Sequence, residues 1–199
     1  MSPRKYAMQR RDETALATRE RIARATSELH SEKGVAATTF RDIAERADVG
    51  IGTVYHHFPS YEDVITACGA YSLGIAAAPQ PSIFDGIDDP RQRVRTLVRE
   101  LIAFYLRIPG FSRVRGERRQ FAALDAAMRD EEEHRRVLVD AALRPITRSI
   151  RIHAVAFAML DFSVYEALAD CGLPQASAVD EITNTLLARI GEDQKKRKQ

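Results

Sequence analysis

The sequence predicts an all-α protein of about nine helices. Apolar residues recur at the i, i+3, i+4 and i+7 spacing of helices along most of the chain, and the alternation typical of strands is scarce. Glycine and proline interrupt this pattern, at Gly34 and across residues 76–90. Because the early helices are short and the later ones long, we expect a three-helix N-terminal unit followed by a larger helical bundle.

Composition limits the possible classes of protein. A chain of 199 residues is long enough for one or two domains with a real core. No apolar run approaches the roughly 20 residues of a membrane span, and the N-terminus lacks the apolar region of a secretory signal. Cys68 and Cys171 lie far apart, as expected for reduced thiols. We therefore expect a cytoplasmic protein with no membrane partner.

The N-terminal half divides into short helices with recognisable ends. The first has apolar spacing from Ile22 to Leu29 and ends at Gly34, and the next follows the Thr38-Thr39 pair, which can cap it. Ser60 and Asp63 are spaced as a capping box. These signals predict helices over residues 22–33, 40–47, 51–57 and 60–76.

The C-terminal half is predicted to hold longer helices. One carries the apolar stripe of residues 94–105, a charged one runs through residues 129–143, a single apolar helix covers residues 152–168, and a last one covers residues 179–190. We expect a flexible basic arm at residues 1–15, a helix-turn-helix domain at 16–62, a ligand-binding and dimerisation domain at 63–192, and a basic tail at 193–199.

Both predicted ends are basic. Solvated ends are the simple interpretation of such runs, and contact of the arm with DNA phosphate or a minor groove is the alternative. The residues concerned are Arg4, Lys5, Arg10 and Arg11 in the arm, and Lys195, Lys196, Arg197 and Lys198 in the tail.

The stretch DVGIGTVYHHFPSYEDV, residues 48–64, indicates the function. A short helix over residues 40–47, a tight turn at Val49, and a second short helix anchored by Val54 and Phe58 form a helix-turn-helix. Gly50 and Gly52 allow close approach to a DNA backbone, and Thr53 can contact phosphate or a base edge. The second helix is therefore predicted to read the major groove.

Residues 18–34 and 38–65, which include the string TTFRDIAERADVGIGTVYHHFPSYEDVI, resemble the TetR/AcrR family of bacterial one-component transcription regulators. The resemblance reaches about residue 71. It implies a homodimer with an N-terminal three-helix DNA-binding domain and a C-terminal ligand-binding and dimerisation domain. The positions that it carries over as DNA contacts are Thr38, Thr53, Tyr55, His57 and Tyr61.

Four residues depart from the family pattern. Asp48 stands where glycine is usual in the turn, and Gly50 where a capping serine is common. Ile51 replaces a polar or basic residue, and Tyr61 replaces a lysine that contacts phosphate. Ile51 favours contact with a thymine methyl over a hydrogen bond. These departures leave open an alternative function, a helical ligand-binding or scaffold protein with degenerate DNA binding.

The predicted DNA-contact residues have structural alternatives. Thr38 or Thr39 can simply cap a helix, and Tyr55 can pack on a neighbouring helix. His56 and His57 do not fit a metal pair, because adjacent positions diverge by about 100° on a helix. The full predicted DNA-binding set is Thr38, Thr39, Gly50, Ile51, Gly52, Thr53, Tyr55, His56, His57 and Tyr61.

No enzyme, metal or cofactor signature occurs in the sequence, so we expect neither catalytic activity nor a cofactor. Aromatic and methionine residues of the C-terminal half could instead line an effector cavity, with an arginine from residues 107–119 at its mouth. A packed core is the alternative. The candidate residues are Phe104, Tyr105, Phe111, Phe121, Met128, Phe157, Met159 and Phe162.

The sequence thus predicts a ligand-responsive transcriptional regulator, a repressor released by a small apolar effector of unknown identity. Its DNA partner would be a near-palindromic double-stranded operator. The last two predicted helices are more apolar than one covering layer requires, and the family resemblance implies that they pair with their copies in a homodimer.

Overall fold

The computed structural model describes the backbone of residues 3–197 and the side chains of residues 12–196. This part of the chain holds ten α-helices and no strand, which confirms the all-α prediction. The helices are α1 (Pro3–Lys33), α2 (Phe40–Arg46), α3 (Ile51–His57), α4 (Tyr61–Ala76), α5 (Pro90–Leu106), α6 (Phe111–Gly116), α7 (Ala122–Leu143), α8 (Ile150–Met159), α9 (Phe162–Asp170) and α10 (Gln175–Arg197), with 3-10 turns at Pro81–Phe84 and Arg118–Gln120.

Helix extends into both basic ends, since α1 begins at Pro3 and α10 ends at Arg197. The side chains of Arg4, Lys5, Arg10, Arg11 and Arg197, and the whole of Lys198, lie outside the described residues. Their predicted roles stay predictions.

The helix ends in the N-terminal half follow the predicted signals. Gly34 has a φ of +91°, the left-handed conformation that ends a helix. Thr39 caps α2 in a capping box with Asp42. Ser60 and Asp63 form the second box, because Ser60 N donates to Asp63 Oδ2 at 3.0 Å and Asp63 N donates to Ser60 Oγ at 3.2 Å.

The single apolar helix predicted over residues 152–168 is wrong. The chain bends by 50° between α8 and α9, which makes ten helices where about nine were expected. Asp161 leaves the helical conformation at φ −63° and ψ 134°, and its side chain accepts the Ser163 N–H as the cap of α9. Apolar periodicity does not detect this break, because both halves are apolar.

Among the described residues, no single helix is long and apolar enough to cross a membrane. The bent pair of α8 and α9 meets that test only when the two are taken together, by length and composition alone.

The chain divides into two compact units. The first comprises Met1–Ala76 and Ile108–Met128, and the second comprises Ala77–Arg107 and Arg129–Gln199. By contacts, α4 therefore groups with the N-terminal helices, whereas the sequence-based domain boundary lies at residue 62. That boundary describes a division of function and stays a prediction.

The first unit has its core where α1, α2, α3 and the start of α4 meet. Ile22, Ile43, Val54, Phe58 and Val64 are each fully buried there. At about 1.5–3 kcal/mol for each large apolar side chain removed from water, this cluster holds the short helices in place. Such support is needed because isolated helices of seven residues are unstable in water.

In the second unit, the side chain of Arg93 on α5 holds two segments together. Its Nε donates to Ala142 O at 3.2 Å and its Nη2 to Ala141 O at 2.8 Å, which satisfies carbonyls in the last turn of α7. Its Nη1 donates to Phe84 O at 3.1 Å and Ile87 O at 2.6 Å. One guanidinium therefore serves four backbone carbonyls.

We expect Arg93→Met to lower the free energy of unfolding by about 2–3 kcal/mol, because it leaves several half-buried carbonyls without donors. Urea unfolding followed by circular dichroism measures the change. The matched control is Arg95→Met on the same helix, which removes the exposed ion pair of Arg95 with Asp180. That variant should lose less than about 1 kcal/mol. Equal losses in the two variants would contradict the role of Arg93.

Candidate nucleic-acid interface

The turn between α2 and α3 is tight and stabilised by the backbone. Val49 N donates to Ala44 O at 3.0 Å, and Asp48 N donates to Glu45 O at 3.2 Å. Asp48 has a φ of +51°, the left-handed conformation in which glycine, the usual residue of the family here, is less strained. Val49 packs on the core, so the turn fixes the direction in which α3 leaves α2.

The helix α3 has one buried face and one exposed face. Val54 and the following Phe58 are fully buried. Ile51 and Tyr55 are 45% and 50% exposed, which is high for large apolar or aromatic side chains. Gly52 and His56 are exposed beside them. The outward face therefore combines apolar, aromatic and polar groups without an acidic residue.

Gly50 and Gly52 leave two positions at the start of α3, on either side of Ile51, without a side chain. A Cβ at Gly52 would have no neighbour within 4 Å, and one at Gly50 would lie at an ordinary 3.7 Å from Thr53 Oγ1. Packing within the protein therefore does not require glycine at either position. Gly50 is the N-cap of α3 and provides no side-chain hydrogen bond.

Arg19 of α1 holds the end of α3, a contact that the sequence analysis did not identify. Its Nη1 donates to His57 O at 2.7 Å, and its guanidinium lies 4.2 Å from the centroid of the Phe58 ring. Burial lowers the pKa of His57, and the nearby His56 and Arg19 lower it further. His57 therefore presents a neutral imidazole at pH 7. No sequence pattern distinguishes Arg19 from the other arginines of α1, so this contact was not predictable.

The two threonines before α2 have different surroundings. Thr38 is buried, and its hydroxyl donates to Gly34 O at 2.7 Å. Thr39 is exposed and forms the capping box. Thr39 is thus the threonine of this pair that a DNA backbone could reach.

The two tyrosines also differ. The Tyr55 ring packs against Phe40 with centroids 4.6 Å apart, yet the residue is half exposed, so packing and DNA contact are compatible. The Tyr61 hydroxyl points inward and donates to Val35 O at 2.8 Å. Tyr61 therefore serves the packing of α1 against α4, and its predicted contact with phosphate has no support from this geometry.

Behind the interface, a chain of polar groups is buried between α1 and α4. Because the Tyr61 proton goes to Val35 O, His30 must donate from Nε2 to Tyr61 Oη, which lies 3.1 Å away. Its Nδ1 then accepts from Cys68 Sγ at 3.6 Å. One turn further along, Ser27 Oγ and Ser72 Oγ lie 2.9 Å apart. These bonds fix both helices that support α3.

The predicted effector residues are distributed over the two units. Phe111, Phe121 and Met128 belong to the first unit. The other candidates belong to the second unit, where ring centroids lie 5.3 Å apart for Phe104 and Tyr105 and 5.2 Å apart for Tyr105 and Phe162. Their part in ligand binding stays a prediction.

Residues 22–68 match the family model described as bacterial regulatory proteins, tetR family. This segment contains the whole α2–α3 pair and the helices that support it. Over these residues the chain is similar to the TetR family. The resemblance predicted from the sequence is thereby confirmed.

Related proteins include HTH-type transcriptional repressors. The HTH-type transcriptional repressor KstR of Mycolicibacterium smegmatis is 33% identical over 124 residues, which cover 62% of this chain and 59% of that repressor. KstR of Rhodococcus jostii is 52% identical over 42 residues, which cover 21% of this chain and 20% of that protein. The chain thus spans less than two thirds of the length of these curated relatives.

Solved structures share the fold over most of the chain. The TetR family regulator PfmR of Thermus thermophilus has a TM-score of 0.60 at 18% identity and covers 84% of this chain and 97% of its own. A Streptomyces coelicolor protein has a TM-score of 0.62 at 25% identity, with coverages of 87% and 97%. The C-terminal half therefore shares the fold of these two proteins.

The left-handed turn makes a stability prediction. Asp48→Val should lower the free energy of unfolding by about 1–2 kcal/mol, because a β-branched residue is strained at positive φ. Asp48→Asn should change it little, since asparagine tolerates this conformation. Denaturant unfolding measures both variants, with Asp88→Val in an exposed loop as control. A tolerated valine at position 48 would refute the role assigned to the turn.

The buried His30 predicts a pH dependence of stability. Burial lowers its pKa from 6.5 to about 4, although Glu117 acts in the opposite direction. The unfolded chain binds the proton more readily, so this contribution to stability is complete above pH 6.5 and is lost as the pH falls towards 4. The slope for one such group is at most about 1.4 kcal/mol per pH unit.

Urea unfolding at about pH 7.5 and about pH 5.5 measures this slope. His30→Gln should reduce it, whereas Thr66→Ala, which changes an exposed and non-titrating residue of α4, should leave it unaltered. A slope that survives His30→Gln would assign the pH dependence to other groups.

Proposed function

We propose that this protein is a ligand-responsive DNA-binding repressor in which α3 reads the major groove of an operator. The observation that carries the proposal is the division of α3 into an anchored and a free face. Val54 and Phe58 are fully buried, while Ile51 and Tyr55 are about half exposed. A helix of seven residues that leaves such side chains half exposed is suited to a groove.

The geometry reduces the set of residues that we propose to contact DNA. Ile51 and Thr53 lie where base edges would meet the first turn, with Gly50 and Gly52 allowing close approach. Tyr55, His56 and His57 supply polar groups for phosphate, and Thr39 does so from the start of α2. Thr38 and Tyr61 are left out of the proposed set, because their hydroxyls are bound inside the protein.

A homodimer would present two copies of α3 to a near-palindromic operator. We place the dimer contact on the outer faces of α8 and α10, in accord with the family resemblance. Ile150, at the start of α8, is 88% exposed, and Ala154 and Ala158 continue its face along the helix. On α10, Thr185 and Ala188 are exposed and small enough for close helix approach.

The effector is proposed to act through α4 and α7. Glu62 of α4 accepts from Ala122 N at 3.3 Å and Ala123 N at 2.7 Å, the unpaired amides of the first turn of α7. The helix α7 then continues into the second unit, where the effector candidates of α5 and α9 lie. A coupling free energy of about 1–3 kcal/mol would weaken DNA binding by about 5- to 150-fold.

A ligand-binding or scaffold protein with degenerate DNA binding is the second candidate. It is favoured by the strained Asp48, by Gly50 without a capping side chain, and by Tyr61 turned inward. In that case the protein would bind effector and dimerise without selecting a DNA sequence.

Fluorescence anisotropy tests the proposal. The probe is the duplex upstream of this protein's own gene, with scrambled DNA as reference, over a range of salt concentrations. We expect two chains per specific duplex and binding that distinguishes the two probes. Thr53→Ala and Tyr55→Phe should each weaken specific binding by about tenfold, or about 1.4 kcal/mol.

Two features keep this test specific. Tyr55→Phe retains the ring contact with Phe40 and removes only the hydroxyl, so lost affinity cannot be assigned to unfolding. Thr66→Ala on α4 removes an exposed threonine whose hydroxyl donates to Glu62 O, and it should bind DNA like the unaltered protein. Equal, steeply salt-dependent binding to operator, scrambled DNA and variants would favour the second candidate.

A further inference from the structure

Four polar side chains, buried or partly buried, lie together in the second unit and form what we call the Arg135 cluster: Tyr105 of α5, Glu131 and Arg135 of α7, and Asp161, the N-cap of α9. The Arg135 side chain is only 4% exposed. Its Nε lies 3.6 Å from Glu131 Oε1, and its Nη1 donates to Asp161 Oδ2 at 3.4 Å. The Tyr105 hydroxyl donates to Glu131 Oε1.

The guanidinium of Arg135 is poorly satisfied for a buried charge. A guanidinium carries five N–H donors, and in folded proteins a buried one is normally held by several short hydrogen bonds. Among the described residues, Nε of Arg135 has no hydrogen-bond partner. The bond to Asp161 is at the long limit of the normal range. Arg135 therefore retains unused donor capacity in the interior of the unit.

The two carboxylates of the cluster have other commitments. Asp161 Oδ1 accepts from Ser163 N at 3.1 Å, which caps α9. Glu131 accepts the Tyr105 hydroxyl, and burial raises the pKa of Glu131, so its charged form is disfavoured. Asp161 thus divides its two oxygens between the cap of α9 and Arg135, and Glu131 Oε1 is shared between Tyr105 and Arg135.

Aromatic rings surround the cluster. The guanidinium of Arg135 lies 4.3 Å from the centroid of the Phe157 ring. From Tyr105 the rings continue to Phe162 at 5.2 Å and from there to Tyr165 at 5.4 Å between centroids. A single buried cation beside neighbouring aromatic rings has the chemistry to bind a molecule with one anionic end and an apolar body.

We propose that Arg135 is the effector-binding arginine and that the effector is an apolar monocarboxylic acid. Its carboxylate accepts a bidentate pair of hydrogen bonds from the guanidinium, and its apolar body lies along the rings of Tyr105, Phe162 and Tyr165. Asp161 competes with that carboxylate for Arg135, so binding loosens the contact between α7 and the start of α9. This inference rests on the proposed function and names its effector class.

Isothermal titration of the full chain with decanoate, below the concentration at which it forms micelles, tests the proposal. 1-Decanol and decyltrimethylammonium are the probes that share the apolar body and lack the carboxylate. Decanoate should bind, and both other probes should bind at least about tenfold more weakly. Preference for decyltrimethylammonium would instead assign the site to a lipophilic cation held by Glu131 and Asp161, and would overturn the proposal.

Three variants locate the contact. Arg135→Lys keeps the charge and loses the planar fork, and should weaken decanoate binding about tenfold or more. Arg136→Lys is the matched control, because Arg136 lies 4.7 Å from the same Phe157 ring but is solvent-exposed, and its affinity should stay within about twofold. Asp161→Asn keeps the cap of α9 and removes the competing charge, so it should bind decanoate several-fold more tightly.

Asp161→Asn also guards against misfolding as an explanation, because a gain of affinity requires a folded protein. Absent binding of decanoate, equal binding of 1-decanol, or weaker binding by Asp161→Asn would each overturn the proposal. DNA anisotropy separates this inference from the function on which it rests. A protein that selects its operator but ignores decanoate refutes the effector class alone, whereas one that binds decanoate and selects no DNA refutes the repressor alone.

Discussion

The packing of α1 against α4 is the contact on which α3 depends. Both supporting helices meet α3 through side chains that are fully buried, and α3 has too few residues to form without them. The hydrogen-bonded chain from Val35 through Tyr61 and His30 to Cys68 fixes how these two helices are placed along each other. Apolar contacts alone tolerate small slides, whereas a buried polar chain loses its bonds when the helices shift.

The α2–α3 turn, unlike the packing of α1 against α4, contains residues that do not favour stability. Asp48 occupies a left-handed conformation in which glycine is less strained, and Gly50 caps α3 without a side-chain bond. Neither feature is the most stable choice for its position. Both lie on the surface proposed to contact DNA, where the requirements of a groove compete with those of folding.

The two buried polar clusters of the chain differ in how completely their hydrogen-bonding groups are satisfied. Around His30, each ring nitrogen has a partner whose proton supply is consistent with one tautomer. Around Arg135, one donor has no partner among the described residues and another makes a long bond. A fully satisfied network holds one arrangement, while an incompletely satisfied one is disposed to exchange a partner for a ligand. The cluster around His30 supports α3, and the cluster around Arg135 lies among the effector candidates.

The local elements of this protein are predictable from its amino-acid sequence alone. These elements depend on residues within one or two helical turns, so sequence patterns predict them. They include the helix spacing, the capping boxes at Thr39 and Ser60, and the helix end at Gly34. The exposed face of α3 followed from the same periodicity.

Which polar groups already have a hydrogen-bond partner inside the protein depends on how the helices pack. Tyr61 turns inward because Val35, 26 positions earlier, offers a carbonyl, and Arg19 reaches the end of α3 across 38 positions. The break between α8 and α9 and the buried Arg135 were likewise hidden, since apolar periodicity cannot report where a charged side chain finds, or lacks, a distant partner. Local physics fixes helices, whereas hydrogen bonds between residues far apart in sequence exist only once those helices have packed.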